Sequence, residues 1–357
     1  MEQTVNENKI WRNIKWWPVQ YTIGCDFIFY WIINVAFLTT VKGLEYGQIF
    51  TLDLIAAGTS VLLAFPCLIL IAKLGNNTSY TVGAGTMLLG AILYTFGNSF
   101  TWFVIADILY YLSFHFYAVR PCILENNLSL VNKKEHFIKY SARGRLGYSI
   151  ITLFVVAISG FVFDVNPYIP MYCCIGFALL NFVSSFFITD QSKSKYNIEG
   201  ILKRDKTKAI DKKVIYFTLA IFAFIIIFKG CWYVGNQYTK ISLQEINLAI
   251  QALTLILLAG RFVRVIMNFF NEKIIHKFNK SLMYILPILL VVGLLLLSLP
   301  LILLNNFVVQ LVLIIIGCLL VTGIYDLYKL YIHYLVVNCY KKPQHLKMFW
   351  ITEVVDS

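Results

Sequence analysis

The sequence predicts an all-α integral membrane protein, with about ten transmembrane helices in a six-helix N-terminal bundle and an incomplete four-helix C-terminal bundle. Three observations lead to this prediction. The chain is 59% hydrophobic and only 13% charged, which lies outside the range of soluble globular domains. Apolar segments long enough to span a bilayer recur along the chain, and one basic polar segment divides them into two groups. The connections between these segments alternate between basic and weakly charged.

A helix needs about 20 mostly apolar residues to cross the hydrocarbon core of a bilayer. Ten segments meet this requirement, at approximately 18–39, 49–71, 80–97, 101–124, 146–164, 169–188, 214–235, 245–267, 282–304 and 307–335. Trp11, Trp16 and Trp17 precede the first segment and are typical of an aromatic belt at the membrane interface. No small-residue cleavage pattern follows that segment, so we predict that it is a helix of the protein and not a signal peptide.

The Lys and Arg residues define the orientation of the predicted helices. With the N-terminus in the cytoplasm, 25 of the 30 Lys and Arg residues fall on the cytoplasmic side, and only Lys42 and Lys240 fall on the outer side. This bias obeys the positive-inside rule. We therefore predict that both termini are cytoplasmic and that the net charge of +12 reflects membrane orientation.

The largest group of cations lies in the polar segment 190–213. A nucleic-acid-binding arm is the alternative interpretation, but such an arm is attached to a soluble domain, and the sequence predicts none. We therefore predict three regions: a six-helix transmembrane bundle at 1–189, a cytoplasmic basic linker at 190–213, and a four-helix transmembrane bundle at 214–357.

Two pairs of similar loops indicate that the bundles are repeats. The segment Lys73–Tyr80 resembles Lys277–Tyr284, and Lys133–Lys139 resembles Lys341–Lys347 with a one-residue shift. These matches pair the eighth span with the second and the tenth with the fourth, so the repeat unit has six spans. The second copy then ends early, and residues 348–355 resemble the first turns of an eleventh helix.

This organisation resembles the major facilitator superfamily, whose members carry two six-helix bundles joined by a central cytoplasmic loop. The family's motif after the second helix, roughly G-x-L-A-D-x-x-G-R-R, is only partly present at 68–77: Ala72 replaces the Asp, and Asn76-Asn77 replaces the Arg pair. A second segment is similar to a pattern common in bacterial efflux-type members, with Glu125-Asn126-Asn127-Leu128 followed by Lys139-Tyr140 and Gly144-Arg145. The resemblance implies a multi-pass protein of the bacterial cytoplasmic membrane.

Ionisable residues inside the predicted spans mark candidate functional positions, because a charge at membrane depth is costly unless it faces a polar path. In the first, fourth, seventh and tenth spans they are Asp26, Asp107 and Arg120, Lys229, and Asp326 and Lys329, respectively. The third, sixth and ninth spans have none. In the family that the chain resembles, the first, fourth, seventh and tenth helices line the central cavity, in agreement with this period.

The helical repeat places polar neighbours beside these charges. The candidates for contact with a solute or coupling ion are Asp26, Tyr30, Asn34, Asp107, Tyr111, His115, Lys229, Tyr233, Asn236 and Gln251. Asp107 and Lys229 lie at similar predicted depths and are expected to face each other. Candidate gate or interface charges, as anchors or an ion pair, are Arg120, Arg261, Asp326 and Lys329. The alternative for each residue is an interhelical hydrogen bond that only holds the bundle together.

No enzymatic motif accompanies these residues. The sequence contains no P-loop, no metalloprotease His/Glu spacing and no G-x-S-x-G. The eight cysteines lie in or beside apolar segments, and we interpret them as buried apolar residues. We therefore predict that the protein is not an enzyme and binds no cofactor and no metal.

Two functions follow as alternatives. The first is a secondary transporter that moves a small amphipathic or anionic solute by alternating access, with proton-coupled efflux in which Asp26 or Asp107 carries the proton. The second is a truncated or degenerate relative without transport, acting as a sensor or interaction partner. The expected partners are the lipid bilayer, a small solute and protons, with no nucleic acid, and we expect a monomer.

Overall fold

The computed structural model describes residues 7–187, 190, 219–221, 223–228, 250–303, 306–339, 345, 348–350 and 352. Within these residues the chain is almost entirely helical, and none of them belongs to a β-strand. Most of the predicted linker and much of the seventh predicted span lie outside the described residues. The prediction of an all-α chain is confirmed.

The helices are α1 (Glu7–Ile23), α2 (Tyr30–Ala36), α3 (Tyr46–Phe96), α4 (Phe100–Tyr117), α5 (Val119–Leu130), α6 (Phe137–Val165), α7 (Tyr168–Ser185), α8 (Ile250–Phe278), α9 (Leu282–Leu303), α10 (Phe307–Gly323) and α11 (Tyr325–Cys339). A π-helical turn, Phe37–Val41, follows α2. In the described part of the chain, six helical segments are long and apolar enough to cross a membrane, judged by length and composition.

The helices expose apolar side chains and bury polar ones. On α6, Phe161 is 78% exposed, whereas Arg145 and Ser149 are buried. On α8, Phe269 is 65% exposed and Arg264 is buried. This inside-out pattern is expected where lipid surrounds a bundle with a polar interior, because charged side chains in a membrane face the protein interior or a water-filled path.

The structure interrupts the first predicted span, 18–39. α1 ends at Ile23, α2 begins at Tyr30, and the backbone between them is not helical. Asp26 lies in this break, where its Oδ1 accepts a hydrogen bond from the amide of Phe27 at 2.7 Å. The prediction of a continuous span was wrong here because this side-chain-to-backbone bond competes with the helix, and a hydropathy pattern does not detect it.

Several helices extend beyond their predicted spans. α6 begins at Phe137, well before the predicted span 146–164, and α8 ends at Phe278, well after the predicted span 245–267. The predicted boundaries were wrong because they followed uninterrupted apolar sequence, and α6 begins in turns that carry cations such as Arg145. The extra turns of α6 bring Arg145 into the bundle, where it is buried.

Other predicted spans are joined or divided. α3 contains both 49–71 and 80–97, joined at a kink where Gly75 has a φ of 78°. Glycine adopts this left-handed conformation without the steric cost that a Cβ would bring. Conversely, 101–124 corresponds to α4 and α5, and 307–335 to α10 and α11.

α6 packs against both α1 and α8. On the α1 side, the hydroxyl of Thr22 donates a hydrogen bond to the carbonyl of Gly144 at 3.2 Å. A Cβ at Gly147 would lie only 2.3 Å from Thr22 Oγ1, so this glycine allows the two helices to approach closely. Since α6 belongs to the first predicted bundle and α8 to the second, α6 lies at their junction. The division into six and four helices stays a prediction.

Candidate solute-binding site

Charged side chains from α5, α6, α8 and α11 lie near one another beside the break between α1 and α2. We use the term cation cluster for Arg120, Arg145, Arg261, Arg264 and Lys329. The described carboxylates that interact with the cluster are Asp26 and Asp326. Tyrosine rings lie between several of the cations.

Asp326 on α11 is held by Arg264 on α8. Nε of Arg264 donates to Asp326 Oδ2 at 2.5 Å, and Nη2 donates to Oδ1 at 2.6 Å. The Asp326 side chain is 2% exposed and that of Arg264 is 8% exposed. Such a bidentate, charge-assisted pair fixes the relative position of the two helices.

α6 contributes further donors to the same carboxylate. Ser149 Oγ donates to Asp326 Oδ2 at 3.0 Å, and Arg145 Nη1 lies 4.0 Å from Oδ1. Asn268 on α8 donates to Oδ2 at 2.5 Å and also to Ser149 Oγ at 2.7 Å. One carboxylate is therefore shared between a helix of the first predicted bundle and two helices of the second.

Arg120 on α5 is held by a carbonyl group and by aromatic rings. Its Nη1 donates to the carbonyl of Gly24 at 3.1 Å, and its Cζ lies 4.0 Å from the ring centroid of Tyr117. The ring of Tyr21 lies 5.2 Å from Arg120 and 5.7 Å from Arg145. Within the described ranges, no carboxylate forms an ion pair with Arg120, so its charge is balanced only by dipoles and cation–π contacts.

Asp26 lies beside the cluster, in the helix break, and is partly exposed. Tyr110 on α4 donates to Oδ1, and Tyr148 on α6 donates to Oδ2 at 3.4 Å. The ring of Tyr148 also lies 5.7 Å from the guanidinium carbon of Arg264. Tyr148 thereby connects the surroundings of Asp26 with the ion pair on α8.

Arg261 lies one helical turn before Arg264 on α8. It interacts electrostatically with Arg264, Asp26 and Asp326. Among the residues that the structure describes, none forms an ion pair with Arg261. Like charges on successive turns of one helix repel each other, so the arrangement would be stabilised by a further anion.

Five of the residues predicted from the sequence belong to this site: Asp26, Arg120, Arg261, Asp326 and Lys329. The ion partners of Asp326 are Arg264 and Arg145, and neither was a candidate. Lys329 instead faces the ring of Tyr325 at 5.4 Å, and that ring also lies 5.3 Å from Arg264.

Candidates on α2 and α4 occupy the neighbouring packing. The ring of Tyr30 is buried 4.4 Å from that of Tyr94, and Tyr111 lies 5.7 Å from Tyr110. Asp107 is buried on α4, one turn before the tyrosine that binds Asp26. Asn34 is partly buried on α2.

His115 contacts α3. It is fully buried, and its Nε2 lies 2.8 Å from Ser60 Oγ, so it contributes to the packing of α4 against α3. The candidates Lys229, Tyr233 and Asn236 lie outside the described residues. Gln251 belongs to α8, where only its helical backbone is described.

Sequence reasoning missed Arg145, Tyr148, Ser149, Arg264 and Asn268. A signal was present on α8, where Arg261, Arg264, Asn268 and Asn271 recur at intervals of three and four residues. This is the repeat of one helical face. It was overlooked because Arg264 was counted among the cytoplasmic cations.

A second polar contact lies at the end of α5. Glu125 is bound by His345, whose Nδ1 lies 2.7 Å from Oε2, and by Lys134, whose Nζ lies 3.1 Å from Oε1. Nearby, the buried ring of Phe349 packs 6.2 Å from that of Phe137. His345 and Phe349, which follow the tenth predicted span, therefore contact α5 and the start of α6, on the predicted cytoplasmic side.

Two other features do not provide a polar site. A groove of about 420 Å³ between α6 and α8 is lined only by apolar residues, among them Phe154 and Phe262, which are exposed. Within the described residues, no group of His, Cys, Asp or Glu side chains could hold a metal ion. The cation cluster is therefore the candidate for solute binding.

Comparisons with known proteins identify the fold. A scan against protein-family models finds no match, and a search of curated proteins finds none. A search of solved structures finds the human organic anion transporter MFSD10 (TETRAN), with a TM-score of 0.62 and 11% sequence identity over 98% of this chain and 90% of that chain. At this identity the similarity shows the fold alone. The efflux-type motif and the missing final helices stay predictions. The chain has the all-α, multi-pass membrane fold of the major facilitator superfamily.

Proposed function

We propose that the chain is a secondary transporter that moves a small anionic solute across a membrane by alternating access. The observation that carries this proposal is the excess of cations over carboxylates in the interior of the bundle. The cation cluster has five members, and Asp26 and Asp326 are the described carboxylates among them.

Buried cations without a carboxylate partner are costly in a membrane, and a bound anion lowers that cost. Arg120, which is buried, and Arg261, which is partly buried, have no ion pair with a described residue, and they lie on α5 and α8. A solute held between them would therefore touch both predicted bundles. Contact with both bundles is what alternating access around one site requires.

The tyrosine rings indicate the rest of the solute. Tyr21, Tyr148 and Tyr325 present aromatic faces beside the cations, so the site suits an anion with an apolar or aromatic body. MFSD10, which shares the fold, is an organic anion transporter. Both observations support an organic anion as the solute.

A proton on Asp26 is the proposed coupling ion. The carboxylate is partly exposed in the helix break and is bound by two tyrosine hydroxyls, so it can accept a proton without leaving its hydrogen bonds. Protonation also removes a negative charge from the cluster and strengthens its attraction for the anionic solute. In this scheme the proton and the anion bind together and therefore move in the same direction, and the efflux expected from the resemblance of the segment after Glu125 stays a prediction.

The test is uptake of radiolabelled benzoate into proteoliposomes, with benzamide as the neutral analogue. Arg145→Gln is expected to lower benzoate uptake at least about tenfold, since it removes a buried charge of the site. Arg143→Gln is the matched control, because Arg143 is exposed on the same helix and its guanidinium lies 5.6 Å from the ring of Tyr140. Benzamide should not be accumulated.

Equal losses in the two variants, or no preference for the anion, would contradict the proposal. Absence of uptake for a wider panel of organic anions by the wild-type protein would favour the second candidate, a membrane protein without transport. That candidate is supported by the replacement of motif charges at Ala72, Asn76 and Asn77.

A further inference from the structure

We propose that the Asp326 carboxylate occupies the position that a carboxylate of the solute takes during transport, and that the solute binds by displacing it from the cation cluster. This inference rests on the proposed function and deepens it by naming the solute as a carboxylate. Asp326 is then a tethered competitor of the substrate.

The donors around Asp326 are arranged for the two oxygens of one carboxylate. Arg264 reaches both oxygens in a planar fork, Ser149 and Asn268 donate to Oδ2, and Arg145 faces Oδ1. A guanidinium fork matches the planar carboxylate group in geometry as well as in charge. Any carboxylate on a small solute would find the same set of donors.

The donors to Asp326 come from both predicted bundles, so a contact that never breaks would prevent these bundles from moving apart during transport. Ser149 and Arg145 lie on α6, whereas Arg264, Asn268 and Asp326 itself lie on α8 and α11. The bonds from α6 to Asp326 join the two predicted bundles. During alternating access the bundles separate where the site opens, so these bonds have to break. An exchange of carboxylates replaces those bonds with equivalent ones to a group that is free to leave.

The exchange also keeps the cations neutralised. In the empty protein Asp326 prevents Arg264 from being a buried charge without a partner, which is strongly destabilising. After displacement, Asp326 still has cations beside it, since it interacts electrostatically with Arg261 and Lys329 follows it by three residues on α11. Neither carboxylate is therefore left unpaired.

The experiment measures thermal unfolding of the detergent-purified protein as benzoate is added, with benzamide as the neutral control. Asp326→Asn keeps the size of the side chain and removes the competing charge. It is expected to lower the half-saturating benzoate concentration at least about tenfold relative to wild type. Asp26→Asn is the comparison for net charge, because it removes the other carboxylate of the cluster, which Arg264 does not bind; it is expected to lower that concentration as well, but by less than about threefold.

The possible outcomes distinguish a failure of this inference from a failure of the proposed function. Equal shifts in both variants would mean that net charge alone sets the affinity, which overturns displacement and leaves the anion site standing. Loss of benzoate binding in Asp326→Asn, with binding retained in Asp26→Asn, overturns it as well. Absence of anion uptake by the wild-type protein in proteoliposomes is the separate failure of the proposed function.

A second measurement applies if Asp326→Asn does not fold without a bound compound. The variant is then extracted and purified with either benzoate or benzamide present throughout. Displacement predicts a monodisperse protein with benzoate only, because benzoate supplies the missing carboxylate to Arg264. Equal yields with the two compounds would overturn the inference.

Discussion

The ion pair between Arg264 and Asp326 should couple α8 to α11 strongly enough to measure. Breaking a buried ion pair by removing one partner costs about 3–5 kcal/mol, because the remaining charge is left uncompensated. Arg264→Met removes two charge-assisted bonds at 2.5 and 2.6 Å. We expect it to lower the free energy of unfolding by about 3 kcal/mol or more in buffer without carboxylates.

The double variant should cost much less than the sum of the single ones. Asp326→Asn leaves the Arg264 guanidinium without its partner, whereas Arg264→Met with Asp326→Asn leaves neither charge. The interaction energy in this double-mutant cycle is therefore expected to be on the order of 2–3 kcal/mol. Equilibrium unfolding of the purified protein in mixed micelles provides the free energies.

The chain offers a matched control on its surface. Lys133 and Glu135 form an ion pair at 3.9 Å, but their side chains are 48% and 61% exposed. The corresponding cycle, Lys133→Met with Glu135→Gln, should give an interaction energy below about 1 kcal/mol. An energy for Arg264 and Asp326 as small as that of the control would refute the reasoning that the buried pair joins the two helices.

Two further predictions concern the helix break and the packing of α6. Asp26→Asn is expected to remove the stimulation of benzoate uptake by an imposed pH gradient and to leave benzoate exchange intact; a normal response here with a loss in Asp107→Asn would assign the proton to Asp107. Gly147→Ala is expected to lower the free energy of unfolding by about 1–3 kcal/mol, because its Cβ would lie 2.3 Å from Thr22 Oγ1. Gly176→Ala, which meets nothing within 4 Å, is the control and should cost nothing measurable in the same unfolding experiment.

The class of fold was predictable because it depends on average properties of the chain. Hydropathy and the distribution of Lys and Arg require no knowledge of tertiary contacts, and they led to an all-α membrane protein. Asp26 and Asp326 could also be identified from the sequence, since an isolated carboxylate in an apolar run is visible without a structure. The same information did not reveal which residues bind them.

The hydropathy and charge patterns do not show which residues bind these carboxylates, for two reasons. Arg264 lies near the basic end of the predicted span 245–267 and was counted among the cytoplasmic cations, whereas the structure continues α8 to Phe278 and buries Arg264. Its pairing with Asp326, 62 residues away, is a tertiary contact. The break at Asp26 is likewise a local competition between a side chain and the helix backbone.

The loop after the second predicted span shows how the chain accommodates the loss of the motif arginines. Asn76 Nδ2 donates to Asp190 Oδ2 at 2.6 Å, and the amide of Asp190 donates to Asn77 Oδ1 at 2.6 Å. Asn126, near the end of α5, donates to the same carboxylate at 2.7 Å. The two asparagines thus bind the first residue of the predicted linker from the positions that the family motif gives to arginine.

This substitution changes which contacts must break when the bundles separate. The contacts of Asp190 tie the start of the predicted linker to α3 and α5, which both belong to the first predicted bundle, so they can persist throughout a transport cycle. The bonds of Asp326 to α6 and the contact between Glu125 and His345 join residues of different predicted bundles, and in the proposed transport cycle they break on opening. Both contacts involve a carboxylate. In the interior contact, a carboxylate of the solute can replace Asp326. Under the proposed function, the charged and exchangeable contacts therefore lie between the predicted bundles, and neutral amides bind the start of the linker, which stays attached.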